Sequence, residues 1–80
     1  MIDDIREILR RHAALPAEVG TLAPTDDLYK AGLTSHASVN VLLALEECFN
    51  VEYPDRMLTR ASFSSIATIQ HNLIELLEAE

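Results

Sequence analysis

Ser35 and His36 place a hydroxyl beside an imidazole, the two parts of a nucleophile–base pair. Adjacency defeats that chemistry. Neighbours on a helix point about 100° apart, so the imidazole turns away from the hydroxyl. No orienting acid or oxyanion hole is apparent in the pattern either. His12, His36 and His71 lie on three separate segments, with none of the close spacings of a metal site, and read as surface histidines. Cys48, the lone cysteine, has no internal disulfide partner and reads as a small buried hydrophobe. Ser35 keeps a different role. At a helix N-terminus, N–H groups and a positive dipole end point outward, so a phosphate on Ser35 would be well placed. The same residue also reads as a plain helix cap, and the residue types leave both readings open.

Helical periodicity places these residues. Ile2, Ile5, Ile8, Leu9 and Leu15 step by three and four, which predicts a first helix from Ile2 to Leu15, ended by Pro16. Asp3, Asp4 and Glu7 lie in its first turns and Arg10, Arg11 and His12 near its end, as the helix dipole favours. Residues 16–33 read as a long connection punctuated by Pro16, Gly20, Pro24 and Gly32. Leu22, Leu28 and Leu33 are its apolar pins, and Thr25 to Leu28 could hold one helical turn. The second helix begins at Thr34 or Ser35, with Ser35 as its cap, and runs to Phe49, where Asn50 stops it. Val51, Glu52 and Tyr53 are extended before Pro54, and residues 55–60 form a short helix. A last helix, capped by Ser62 or Ser64, carries Ile66, Ile69, Leu73, Leu76 and Leu77 on one face. No strand pair is visible. The expected fold is all-α, with three main helices, one short helix and a long loop between helices 1 and 2.

Eighty residues make one small domain, 1–80, and 49% of them are hydrophobic, enough for a folded core. Thirteen acids against six bases leave a formal net charge of −7. With no Lys/Arg cluster, binding driven by neutralising nucleic-acid phosphates is excluded. Docking on an anionic membrane surface is disfavoured too, and basic protein patches become the natural partners. A domain this short buries only about 60% of its unfolded surface, which leaves little chain for a deep catalytic cleft. No apolar run approaches the roughly 18 residues of a membrane span. The acidic start, Met1-Ile2-Asp3-Asp4, is unlike a secretory signal, and the lone cysteine suits a reducing compartment, so a cytoplasmic protein is expected.

The second helix has apolar residues on two faces. On a helical wheel Ser38, Val41, Leu42, Leu45, Cys48 and Phe49 share one side, the expected core face. Val39 and Leu43 lie opposite, among His36, Asn40 and Glu47. Such surplus is either incidental exposure or a partner surface. The second reading predicts a docking stripe of His36, Val39, Asn40 and Leu43, with Glu46 and Glu47 at its far end.

The run Asp27-Leu28-Tyr29-Lys30-Ala31-Gly32-Leu33-Thr34-Ser35-His36-Ala37-Ser38-Val39 resembles the modification site of acyl carrier proteins. In that family an acid and a leucine precede glycine, any residue, then Asp-Ser-Leu. The likeness continues through Leu42 to Asp55, which includes Leu45-Glu46-Glu47-Cys48-Phe49, and so covers nearly the whole chain. It implies an acyl-carrier-protein-like bundle with 4′-phosphopantetheine attached to Ser35. A phosphopantetheinyl transferase would install that arm from coenzyme A, and the arm would carry acyl or aminoacyl groups as thioesters. The carrier itself would then hold no catalytic residue and no metal.

Thr34 stands where the family has aspartate, and His36 where it has leucine. The run Leu33 to Val39, with Tyr53-Pro54-Asp55 and Arg60-Ala61-Ser62-Phe63, is similar to a smaller group. These are aminoacyl carrier proteins loaded by amino acid:[carrier protein] ligases related to seryl-tRNA synthetases. On that resemblance the cargo is a small amino acid such as glycine or alanine. The ligase would pass it to the arm from an aminoacyl-adenylate, and a downstream acceptor enzyme would take it. Leu33 and Thr34 join the docking residues, and the carrier is expected to be a monomer with no nucleic-acid or membrane partner. Two alternatives are an acyl carrier for fatty-acid, polyketide or nonribosomal-peptide intermediates, and an unmodified helical adaptor docking through Val39 and Leu43.

Overall fold

In the computed structural model, which describes residues 1–16 and 18–79, three α-helices carry the fold. They are α1 (Ile2–His12), α2 (Ser35–Phe49) and α3 (Ile66–Glu78), with 3-10 turns at Val19–Thr21, Asp55–Met57 and Arg60–Phe63 between them. No strand occurs among the described residues. α1 packs against both α2 and α3, and the Arg60–Phe63 turn packs on α3. Ile5 and Leu9 of α1 meet Val41 and Leu45 of α2 and Ile66, Ile69 and Leu73 of α3 in one buried core. Their spacing of three and four residues on each helix accounts for that convergence.

Several boundaries differ from the periodic reading, each for a local reason. α1 stops at His12 because the Ala13 N–H closes the last turn on the Leu9 carbonyl, and Ala14 then adopts φ 52°, which turns the chain before Pro16. Residues 25–28 do not form a helical turn. The 3-10 turn lies earlier, at Val19–Thr21, where the Glu18 carboxylate accepts from the Gly20 N–H. The short helix expected at 55–60 resolves into two 3-10 turns, the second capped by Thr59. Ser65, rather than Ser62 or Ser64, caps α3, its hydroxyl oxygen accepting from the Thr68 N–H at 3.1 Å. The other two hydroxyls are already engaged: that of Ser62 pairs with Thr59 at 3.2 Å, and that of Ser64 donates to the Ala61 carbonyl at 2.8 Å.

The long α1–α2 connection is held at several points. The Arg6 guanidinium donates to the Val19 and Leu22 carbonyls, both at 2.8 Å. Leu28 is fully buried; its N–H donates to the Ser64 carbonyl at 2.8 Å and its own carbonyl accepts from the Leu33 N–H at 2.9 Å. The Ala67 N–H donates to the Pro24 carbonyl at 2.8 Å. Gly32 sits at φ 117°, where a Cβ would meet Pro16 Cδ at 2.6 Å, so both the backbone and the space require glycine. Leu28 and Leu33 are buried and Leu22 is half-buried, as their role as pins requires; Val19 is a further buried pin.

Tyr53 closes the far side of the core, stacked on Phe63 with ring centroids 5.7 Å apart. Its hydroxyl is buried without a hydrogen-bond partner among the described residues. Burial, and secondarily the Glu46 carboxylate, push its pKa up to about 12. An unfolded tyrosine ionises near 10, so between about 10 and 12 the folded chain keeps a proton that the unfolded chain has lost. Stability therefore falls as pH rises through that window. Tyr53→Phe removes both the unpartnered hydroxyl, a liability of about 1–3 kcal/mol when buried, and this sensitivity. The expected result is equal or higher stability at neutral pH and a flatter decline above pH 10, read by urea unfolding across a pH series. Leu28→Ala is expected to lower stability by about 2–5 kcal/mol in the same assay.

Candidate functional site

Ser35 is the first residue of α2 and is exposed. The cap before it is Thr34, in extended backbone, whose Oγ1 accepts from the Ala37 N–H at 3.0 Å. Thr34, not Ser35, therefore satisfies the free end of the helix. The Ser35 hydroxyl has no hydrogen-bond partner among the described residues, while the Ser35 carbonyl accepts from the Ser38 hydroxyl at 2.7 Å. No acid lies in the first turn of α2, so its positive dipole end is not neutralised from within the helix. An unengaged, exposed hydroxyl at such a position fits a covalently attached phosphate. Threonine and aspartate are both strong cap residues, so the substitution at position 34 preserves the cap.

The buried stripe of α2 is Ala37, Val41 and Leu45, a narrower face than the helical wheel suggests. Ser38, Leu42 and Phe49 are half-buried. Cys48 is exposed and lines a groove of about 610 Å³ between α1 and α2, with His12, Asn40 and Leu43. It is not the small buried hydrophobe expected of a lone cysteine. Val39 and Leu43 are 53% and 57% exposed, and His36, Asn40 and Glu47 are exposed with them.

Two residues expected on the docking stripe are engaged elsewhere. Leu33 is buried beneath the loop and offers no surface. Glu46 is half-buried, and its carboxylate accepts from the Tyr53 N–H at 2.8 Å, which ties the extended link to the end of α2. Asn50, in left-handed backbone at φ 53°, ends the helix beside it. Two loop acids are likewise bound to backbone: Asp26 accepts from the Ala23 N–H at 2.8 Å, and Asp27 from the Tyr29 N–H at 2.9 Å. Glu47, Glu52 and Asp55 are the exposed acids near α2 without such a bond.

A second groove, of about 390 Å³, opens beside Ser35. Ser38, Val39 and Leu42 of α2 form one wall, and Leu58, Arg60 and Phe63 the other. At its edge the Tyr29 hydroxyl donates to the Arg60 carbonyl at 3.0 Å, and the Arg60 guanidinium carbon lies 3.8 Å from the Tyr29 ring centroid. Burial raises the Tyr29 pKa, Arg60 works against that, and Asp27 adds to it. Sequence reading assigns no role to Tyr29, Leu58 or Arg60, because nothing periodic links residue 29 to residue 60. No helix among the described residues is long and apolar enough to cross a membrane.

Known proteins resemble the chain in sequence and in fold. Residues 3–69 match the family described as "Phosphopantetheine attachment site". The chain is 46% identical over 76 residues to an aminoacyl carrier protein of Agrobacterium fabrum, covering 95% of this chain and 92% of that one. It superposes with a TM-score of 0.91 and 47% identity on a chain from a complex of engineered Bradyrhizobium japonicum glycine:[carrier protein] ligase with carrier protein from Agrobacterium tumefaciens and AMP; 92% of this chain and 99% of that one are covered. A holo acyl carrier protein from Nitrosomonas europaea matches at 26% identity and a TM-score of 0.84, covering 96% and 95% of the two chains.

The cap and the link can be tested by substitution. Thr34→Ala is expected to lower stability by about 1 kcal/mol, whereas Thr34→Asp retains it. Glu46→Lys should lower the thermal midpoint, and Glu47→Lys, on the exposed face, should leave it within a degree or two. Equal midpoints for the two lysine variants would mean that the Glu46–Tyr53 bond does not hold the link.

Proposed function

We propose that Ser35 holds the prosthetic arm of this chain, which belongs to the phosphopantetheine-attachment family and, within it, to the aminoacyl carrier proteins. The chain is a carrier with covalent 4′-phosphopantetheine as its cofactor. The arm supplies a terminal thiol that holds an acyl group as a thioester. The observation that carries the Ser35 reading is the division of tasks at the start of α2: Thr34 caps the helix and leaves the neighbouring hydroxyl exposed and unengaged. In the attachment step Ser35 Oγ attacks the phosphorus nearer the pantetheine of coenzyme A. The phosphoanhydride bond breaks, the adenosine bisphosphate leaves, and the serine proton passes to a base of the transferase. His36 is exposed on the next helical position, turned about 100° from Ser35, and takes no part.

Residues 1–80 act as one carrier domain, without catalysis of their own, as a cytoplasmic monomer. The loading enzyme is an amino acid:[carrier protein] ligase, and the cargo a small amino acid such as glycine or alanine. The likeness to a carrier found with a glycine:[carrier protein] ligase supports this reading. The ligase and a downstream acceptor would dock on His36, Val39, Asn40, Leu43 and Glu47, the exposed face of α2, with Thr34 at its edge. Leu33 and Glu46 support that face from within.

Incubation with coenzyme A and a promiscuous transferase, followed by intact-mass analysis, should show one added phosphopantetheine, absent in Ser35→Ala. A wild-type chain unmodified by several transferases would overturn the reading. The modified chain should accept glycine or alanine from a matching ligase and refuse a long fatty acid from an acyl-carrier synthetase; the reverse pattern assigns it to fatty-acyl transport. Leu43→Ala is expected to lower the ligase kcat/KM by about tenfold, the effect of losing one central interface anchor worth more than about 1 kcal/mol, with the thermal midpoint unchanged.

A further inference from the structure

We infer that Arg60, held on the Tyr29 ring, binds the phosphate of the arm and anchors its near end in the groove beside Ser35. The inference rests on attachment at Ser35. Its ground is the distribution of cations. In a chain of net charge −7, four of the six basic side chains are already occupied. Arg6 donates to two loop carbonyls, Arg10 and Arg11 bind Glu7, and Arg56 meets Glu75 at 3.5 Å. Lys30 and Arg60 have no carboxylate within 4.0 Å among the described residues, and of these two only Arg60 lines the groove that contains Ser35.

The stacking geometry prepares Arg60 for an anion. A guanidinium is planar, and its five N–H donors lie in its plane. With its guanidinium carbon 3.8 Å from the Tyr29 ring centroid the side chain is restrained before any ligand arrives, and its N–H donors have no hydrogen-bond partner among the described residues. The Tyr29 hydroxyl fixes the pair further by donating to the Arg60 backbone carbonyl at 3.0 Å. No aspartate or glutamate lines this groove, so a phosphodiester there meets a cation in the lining; the one acid that acts on Tyr29, Asp27, has its carboxylate on the Tyr29 N–H at 2.9 Å. The groove therefore takes the phosphate end of the arm and leaves the rest of it free to extend toward partner enzymes.

The test uses the full chain before and after attachment, with intact mass confirming complete modification. The Arg60 Nε–Hε resonance should move when the arm is added. The phosphorus resonance of the wild type should differ from that of Arg60→Gln, and should shift to the variant's position as ionic strength rises to about 1 M, where charges are screened beyond about 3 Å. An unchanged Arg60 resonance on a fully modified chain, with the same phosphorus resonance in Arg60→Gln, overturns the assignment while leaving attachment at Ser35 intact. Absence of any mass increase overturns both. If Arg60→Gln fails to fold, the wild-type Nε comparison and salt series decide alone.

Discussion

The position of Ser35 depends on how Leu28 is seated. This side chain is fully buried, its N–H is bonded to Ser64 at the approach to α3, and its carbonyl closes on the Leu33 N–H. One residue thus joins the loop to the third helix and sets the turn from which the second helix starts. A connection of this length would otherwise sample many conformations, and the start of α2 would move with it. Leu33, Gly32 against Pro16, and the two carbonyl bonds from Arg6 act in the same sense. The loop is a backbone support for one exposed hydroxyl.

α2 is held at both ends by side chain to backbone bonds of different chemistry. A neutral hydroxyl caps its start, and a carboxylate from its last turns grips the link beyond it. Between them the buried stripe is narrow, only Ala37, Val41 and Leu45. That narrowness leaves Val39 and Leu43 outside, and it also leaves α2 leaning mainly on α1. The open side toward Leu58 and Arg60 is the groove beside Ser35.

Much of this was legible in the residues, and the parts that were not share a cause. Apolar steps of three and four located all three helices, Asn50 marked the end of α2, and the surplus aliphatics Val39 and Leu43 do face outward. The motif around Ser35 identified the family. Periodicity describes one element against a uniform core, however, and cannot say how wide the contact on a helix will be. Cys48 falls just outside the contact with α1, and so is exposed. Glu46 reads as a surface acid until the chain folds back and brings the Tyr53 N–H to it. The Tyr29–Arg60 pair is equally invisible, because its members meet only in three dimensions. Thr34 and Ser35 are both good caps, and only backbone geometry decides which of them takes that role.

The exposure of Cys48 bears on the integrity of the cargo. A thioester can pass between two alkyl thiols at almost no thermodynamic cost, so a second sulfur on the carrier is a competing acceptor. Distance and direction set that competition. Ser35 opens α2 and Cys48 lies near its other end, about 20 Å of helix axis away at 1.5 Å per residue. The two residues also line different grooves, one beside Arg60 and the other against α1. A thiol at the end of a flexible arm is fixed only at its attachment point, so for an arm rooted at Ser35 it is the opposite outlook of the two grooves, rather than the length of α2, that would keep an activated acyl group from Cys48.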